Sequence, residues 1–190
     1  MNSATSPLSR QLDTYALELS TCHTVSLDPA DVDVPYDWIK TVYCRVLVDE
    51  DDTGEPEEVG TAMGAHVNGN VTDGTGPEMR TILDEHSADL LEVYDHLVAA
   101  GFEVDDTDEL LVLSHVNIQP EHRLPGTGLA IFEQLIRTSS RSLDWAVTYR
   151  DCLEDGATSG SLPALPALPP RMSRIKGTDL IVWRGETKPE

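Results

Sequence analysis

The stretch LLVLSHVNIQPEHRLPGTGLAIFEQLI, residues 110–136, decides how the chain folds. Its first ten residues form a near-continuous apolar run, which is typical of a strand in the centre of a sheet. Apolar residues at helical spacing occupy 128–140 and predict an amphipathic helix. Gly126 and Gly128 lie between the two patterns. The stretch therefore predicts a strand, a glycine turn and a helix in immediate succession.

The glycine turn has the chemistry of a local anion site. Glycine lets the backbone curl so that several N–H groups point into one cavity, and the start of the following helix adds partial positive charge. No G-K-[ST] sequence follows, so the turn is not a Walker A loop, and the G-x-G-x-x-G pattern fails at Ile131. Two interpretations remain, a phosphate-binding turn and a strand-to-helix connection without a ligand.

Hydrophobic patterning elsewhere predicts more strands and one long helix. Alternating or β-branched runs predict strands at 15–27, 38–50, 59–69, 143–150 and 178–185. The segment 77–100 predicts a helix whose apolar face runs from Met79 to Val98 and which stops at Gly101. The expected fold class is α/β (α+β), with a mixed, mostly antiparallel central sheet and flanking helices.

Two segments lack the periodicity of helices and strands. Residues 1–11 are polar and predict a flexible N-terminal tail. Residues 153–172 carry prolines at short intervals, which excludes a long helix and predicts a loop. The remainder, 12–190, has a length that suits a single domain containing this loop.

The charge limits the partners that we expect. Asp and Glu number 34 against 13 Lys and Arg, which gives a net charge of -21. Nonspecific nucleic-acid binding requires a basic surface, so we expect none. An acid-rich surface suits a halophilic host, because high salt screens the repulsion between carboxylates. The alternative explanation is an acidic surface for a cationic partner.

Cysteine usage and hydropathy indicate a cytoplasmic protein. The three cysteines form no C-x-x-C pair, which argues against a disulfide framework or a zinc ribbon. His86 and His96 do not have the spacing of a metal pair on one helix, so we expect no metal site. No apolar run has the length of a membrane span, and residues 1–10 lack the apolar core of a signal peptide.

The segment VNIQPEHRLPGTGLAIFEQLI, 116–136, resembles motif A of the GCN5-related N-acetyltransferases. The hallmark of that motif is [QR]-x-x-G-x-[GA], and Arg123, Gly126 and Gly128 fill its three positions. The resemblance covers 110–150 best. It implies the acyl-CoA N-acyltransferase fold of that family, acetyl-CoA as co-substrate, and transfer of the acetyl group to an amine.

The resemblance also implies contacts with the cofactor. Backbone N–H groups of the turn would face the CoA pyrophosphate, and the residues concerned are Arg123, Leu124, Gly126, Thr127, Gly128 and Leu129. Pro125 departs from the pattern because it has no N–H, whereas the Thr127 hydroxyl would be a further phosphate contact. Backbone groups near Val116 and Ile118 would pair with the pantetheine arm where strand 110–119 splays from 143–150. The hairpin 38–69 would be the second and third strands of the family.

Candidates for a catalytic base lie on the strand 110–119. Acetyl transfer requires a base for the acceptor ammonium and an acid for the departing thiolate. Regular alternation would put Val112, Ser114, Val116 and Ile118 on the face of the site. Ser114 is then a water-holding candidate. His115 would point away unless a β-bulge intervenes, and it is either a base or a structural histidine.

The family often presents its acid from a tyrosine segment after the fifth strand, and the proline-spaced 153–172 does not match that segment. Tyr149 and Cys152 are the remaining candidates near a thiolate, and sheet packing explains Tyr149 equally well. The two helices that the family places between its first and second strands are not predicted either. We expect the helix 77–100 to cover the acceptor side instead.

Three functions remain open from the sequence. The first is an acetyltransferase for a cationic amine acceptor that an acidic rim attracts. The second is a protein that binds CoA or a partner on the same fold without chemistry. The third is an acidic interaction protein or nucleic-acid mimic. The intact hallmark favours the first two, and the oligomeric state, monomer or homodimer, is left open.

Overall fold

The structure is a computed structural model, and it describes residues 15–22, 38–48, 56–69, 78–123, 125–139, 143–153 and 168–185. Its elements in chain order are β1 (Tyr15–Cys22), β2 (Ile39–Val48), β3 (Glu57–Asn68), α1 (Met79–His86), α2 (Ala88–Ala99), β4 (Glu109–Ile118), α3 (Thr127–Ser139), β5 (Trp145–Tyr149), α4 (Arg150–Leu153), β6 (Met172–Arg174) and β7 (Leu180–Arg184). A short 3-10 turn, Pro120–His122, follows β4.

The described strands form one open sheet in the order β1-β2-β3-β4-β5-β7-β6. β4 and β5 are parallel, and every other neighbouring pair is antiparallel. The predicted α/β class with a mixed, mostly antiparallel sheet is confirmed. No helix in the described ranges is long and apolar enough to cross a membrane.

The sheet carries a hydrophobic core on each face. Leu110 and Val112 of β4 pack with α1 and α2, and we call this side the helix-pair face. Leu111 and Leu113 pack with α3 on the opposite side, the α3 face. All four side chains are buried, so β4 is covered on both faces at its beginning, as its continuous apolar run predicted.

The predicted helix 77–100 is two helices. Ser87 is extended (φ -162°, ψ 125°), so it ends α1, and its carbonyl oxygen accepts the first hydrogen bond of α2 from the Leu91 N–H. Val98 is 49% exposed and does not belong to the buried face. Gly101 ends α2 as predicted, with a positive φ of 85° that a residue with a side chain rarely adopts.

The region after β5 contains two elements that the sequence did not predict. The predicted loop 153–172 overlaps the last residue of α4, Leu153, and the first residue of β6, Met172. Residues 154–167 and the predicted tail 1–11 lie outside the described part of the chain. The single-domain boundary therefore stays a prediction.

Candidate active site

A β-bulge interrupts β4 at Ser114. His115 pairs with Met63 of β3, while Leu113 pairs with the next residue of β3, Gly64, so Ser114 is the extra residue of β4 in this pairing. The Ser114 hydroxyl donates a hydrogen bond of 3.2 Å to the carbonyl oxygen of Met63. The extra residue reverses the alternation of faces along the strand.

The bulge corrects the predicted faces of β4. Val112 packs on the helix-pair face, whereas Val116 and Ile118 pack in the core of the α3 face. His115 does not point away from the site; it lines a cleft on the helix-pair face together with Ser114. The prediction that Val112, Ser114, Val116 and Ile118 share one face is therefore wrong, because one inserted residue shifts the pattern by one position.

β4 and β5 part after a short parallel ladder. The ladder runs from Leu110 opposite Trp145 to Leu113 opposite Thr148. β4 continues to Ile118, while β5 ends one residue after Thr148 and the chain turns into α4. The backbone of β4 beyond Leu113 is therefore not paired with β5, because β5 ends there, and the expected splay of the two strands stays a prediction.

A cleft of about 770 Å³ lies next to the point where the pairing of β4 with β5 ends. Its lining residues come from β2 and β3 (Thr41, Met63, Gly64, Ala65), from the junction of α1 and α2 (His86, Ser87, Asp89, Leu90), from β4 (Val112, Ser114, His115, Val116) and from the end of β5 with α4 (Tyr149, Asp151, Cys152). The cleft thus brings together the three catalytic candidates, Ser114, His115 and Tyr149. The helix pair forms one of its walls.

Tyr149 has the protonation state that a general acid requires. Its side chain is half-buried, and burial raises the pKa of the phenol above its usual value of 10.0; the negative charges of Asp89 and Glu92 raise this pKa further. Tyr149 therefore carries its proton at neutral pH. Ser114 and His115 are both exposed to the cleft.

Cys152 lies where the two strands part. Its sulfur is 3.9 Å from the carbonyl oxygen of Leu113, and the backbone N–H of Val116 donates to the same sulfur. Burial raises the pKa of the Cys152 thiol, and hydrogen bonds from Thr148 and from the backbone only partly oppose this effect. The thiol is therefore protonated at neutral pH and cannot act as a ready nucleophile.

The glycine turn joins the far end of β4 to α3. Arg123 Nε donates a hydrogen bond of 2.8 Å to the carbonyl oxygen of Ile118, which ties the turn to the strand. Gly126 has a φ of 93°, and its carbonyl oxygen accepts a 2.9 Å hydrogen bond from the Ala130 N–H, so it begins the helix. Among the described residues, no atom beyond the neighbouring positions lies within 4 Å of a β-carbon built on Gly126.

The other predicted residues of the turn differ in their surroundings. Gly128 is buried, and a β-carbon there would collide with the carbonyl oxygen of Cys152. Thr127 is only 1% exposed, so its side chain is enclosed by protein, and Leu129 packs against the core of the α3 face. Leu124 lies outside the described residues. The turn thus adjoins α4, and through α4 the cleft.

The sequence reasoning missed the wall that carries Asp89. This residue lies in the first turn of α2. The sequence predicted one continuous helix with no break at Ser87, and such a helix gave no indication that Asp89 lies near β4. A serine is a preferred residue before the first turn of a helix, so the Ser87-Ala88-Asp89 sequence held a usable signal. Asp151 and Met63 were missed because neither belongs to a motif.

No group of His, Cys, Asp and Glu side chains in the described part of the molecule has the arrangement of a metal site. The comparisons with known proteins gave no match: none of the protein-family models, none of the curated proteins and none of the solved structures that were searched matches this chain. The function must therefore be inferred from the geometry of the cleft.

Proposed function

We propose that the protein is an N-acetyltransferase that moves the acetyl group of acetyl-CoA to a primary amine of a cationic acceptor, on a fold of the GCN5-related N-acetyltransferase type. One observation carries the proposal. β4 and β5 part after Leu113 next to a large cleft, and the glycine turn that matches motif A follows β4 directly. This reaction suits the cytoplasmic location expected from the sequence.

The backbone of β4 beyond Leu113 suits an extended ligand. The Val116 N–H faces the β5 side of the strand, where the Cys152 sulfur accepts from it, so a ligand that pairs with this N–H would displace that sulfur. A pantetheine arm contains two amides, and it would pair with this backbone in the way that an added strand pairs with a sheet edge. Val116 and Ile118 would supply these backbone contacts, and their side chains anchor the strand in the core of the α3 face.

The glycine turn suits the pyrophosphate. The helix dipole adds partial positive charge at the start of α3. Gly126 is partly exposed there, and backbone N–H groups of the turn would face the ligand. These dipoles act over a short range, so the site is compatible with the acidic surface of the whole chain.

The exposed side chains of the cleft supply the proton transfers. His115 would accept a proton from the acceptor ammonium, so that the free amine nitrogen can attack the thioester carbon. Tyr149 would donate its proton to the sulfur as the carbon–sulfur bond breaks, and its raised pKa keeps that proton available. Ser114, fixed at the bulge by its bond to Met63, would hold a water molecule between the amine and His115.

Calorimetric titration with acetyl-CoA, CoA and pantetheine tests the cofactor site. We expect acetyl-CoA and CoA to bind with similar affinity and pantetheine to bind at least about tenfold more weakly, because it lacks the pyrophosphate. Gly126→Ala should weaken CoA binding. Gly177→Ala is the matched control, because Gly177 has a similar φ of 86° and an equally open surrounding on another loop. Failure of acetyl-CoA to bind the wild-type protein would overturn the proposal.

A thiol-release assay with a panel of amines then tests the chemistry. Release of CoA together with acetylation of the amine supports the proposed reaction. Binding of acetyl-CoA without acetylation of any amine would instead favour the second function, a CoA-binding protein without chemistry. The departure of the segment after Tyr149 from the tyrosine segment of the family is the observation that favours this alternative.

A further inference from the structure

The charges of the cleft define the acceptor more closely than the sequence does. Two carboxylates line it from different elements, Asp89 in the first turn of α2 and Asp151 in the first turn of α4. Both side chains are exposed, and the described lining of the cleft contains no lysine or arginine. Burial and, after it, the charge of Asp89 raise the pKa of Tyr149, which lines the same cleft.

An apolar side chain lies in the same cleft. Met63 is 43% exposed, and it is one of only two large hydrophobic side chains in the described residues with that degree of exposure. It is the cross-strand partner of His115, so an apolar surface stands beside the proposed base. Met63, His115 and the two carboxylates therefore line one cleft.

We propose that the acceptor is an alkyl diamine or polyamine, whose second ammonium group is bound by Asp89 and Asp151 while its methylene chain lies against Met63. This inference rests on the proposed acetyltransferase function. The two carboxylates would bind the distant ammonium group, and His115 would deprotonate the amine that reacts. An acceptor with a carboxylate at the far end of the chain would be repelled, so amino acids would be excluded.

A carboxylate in the first turn of a helix also has a structural role, since it stabilises the helix dipole. The two roles make different predictions. A purely structural aspartate changes the stability of the protein but not its choice among acceptors. The ratio of kcat/KM values between two acceptors is the decisive readout, because the amount of folded protein cancels in that ratio.

The experiment compares putrescine, butylamine and γ-aminobutyrate, which share a four-carbon skeleton and carry a positive, no and a negative charge at the far end. We expect kcat/KM for putrescine to exceed that for butylamine by about tenfold, and γ-aminobutyrate to be the poorest acceptor. Asp89→Asn and Asp151→Asn should each reduce the putrescine-to-butylamine ratio. Asp84→Asn is the matched control, an exposed aspartate of α1 that does not line the cleft. Equal kcat/KM values for the three amines, or an unchanged ratio in both variants, would overturn the inference.

A binding measurement separates this inference from the proposed function. Putrescine and γ-aminobutyrate are titrated into the wild-type protein with and without CoA. Tighter binding of putrescine that is lost in Asp89→Asn supports the acceptor site even where no acetylation occurs. Equal binding of the two amines by a protein that binds CoA would overturn the acceptor site and leave the acetyltransferase proposal intact.

Discussion

Gly128 in the first turn of α3 lies so close to the carbonyl oxygen of Cys152 in α4 that a β-carbon has no room between them. This contact joins the start of α3 to the element that follows β5. The glycine turn, which begins α3, is thereby held beside the cleft that Cys152 lines. The second glycine of the turn thus has a packing role that is separate from any contact with a ligand.

Gly128→Ala should destabilise the protein by about 1–3 kcal/mol, because the added methyl group forces the backbones of α3 and α4 apart. Gly126→Ala and Gly177→Ala should each cost about 1–2 kcal/mol through their positive φ, since neither methyl group meets another atom of the part of the chain that the structure describes. Urea unfolding measures the three free energies. The packing role is wrong if the midpoint of Gly128→Ala equals that of the wild-type protein.

The proton-transfer roles predict a loss of kcat with little change in acetyl-CoA affinity. His115→Gln removes the base and should lower kcat by about 10²–10⁴-fold with putrescine as acceptor. Tyr149→Phe removes the acid while it keeps the ring, and it should lower kcat in the same direction. His122→Gln and Tyr43→Phe, at residues that do not line the cleft, are the matched controls. A wild-type kcat in either His115→Gln or Tyr149→Phe would exclude that residue from catalysis.

The strand and the helix of 110–136 could be predicted from the sequence because each of them carries a strong local pattern. An apolar run buried on both faces made β4 recognisable, and apolar residues at helical spacing made α3 recognisable. The bulge at Ser114 has no such pattern. It depends on how β4 pairs with Met63 and Gly64, which lie about fifty positions earlier in the chain, and a single strand cannot predict the register of its neighbour.

The cleft was harder to predict than the glycine turn for a similar reason. His115 and Tyr149 could be named from the strands that carry them, but the wall formed by Asp89 depends on the break at Ser87. The apolar residues keep helical spacing on both sides of Ser87, so their pattern does not show the break, although the backbone of Ser87 is extended. The splay of β4 and β5 was expected only from the family resemblance, since no residue pattern marks its position.

A largely enclosed histidine of β3, His66, makes the stability depend on pH. His66 Nε2 lies 3.3 Å from a carboxylate oxygen of Glu109, and both side chains are largely enclosed. Burial lowers the pKa of His66 below its usual value of 6.5; Glu109 opposes this effect, and Lys40 adds to it. Because protonation is harder in the folded protein than in the unfolded one, the contribution of His66 to stability is present above pH 6.5 and is lost as the pH falls below that value.

We therefore expect His66→Gln to flatten the fall in unfolding free energy between about pH 7.5 and pH 5.5, since glutamine does not titrate in this range. Carboxylates and other histidines titrate in both proteins, and they cancel in the comparison. His96→Gln, which changes a histidine of α2 that pairs with Glu92 and not with Glu109, is the control. Parallel pH profiles for the wild-type protein and His66→Gln would contradict the prediction.

The excess of acidic groups predicts that salt stabilises the protein. Exposed carboxylates follow one another along α1 and α2 at Asp84, Glu85, Asp89 and Glu92. Arg80 is already paired with Asp95, with Nε 3.2 Å from Oδ1. Asp89 and Glu92 lie three positions apart on α2, and like charges at that spacing cost about 0.2–0.5 kcal/mol per pair at low ionic strength. Salt of about 1 M reduces the screening length to about 3 Å.

The thermal midpoint should therefore rise when KCl is increased from about 0.1 M to about 1 M. A triple variant with Asp84→Asn, Glu85→Gln and Glu92→Gln should unfold at a higher temperature than the wild-type protein at low salt. Each kcal/mol of repulsion that is removed should raise the thermal midpoint by about 2–4 °C. It should also gain less from added KCl, because fewer like charges remain to be screened. A wild-type midpoint that does not respond to KCl would rule out repulsion as a limit on stability. The acidity would then be better explained by a cationic partner, such as the diamine proposed for the cleft, than by a halophilic host.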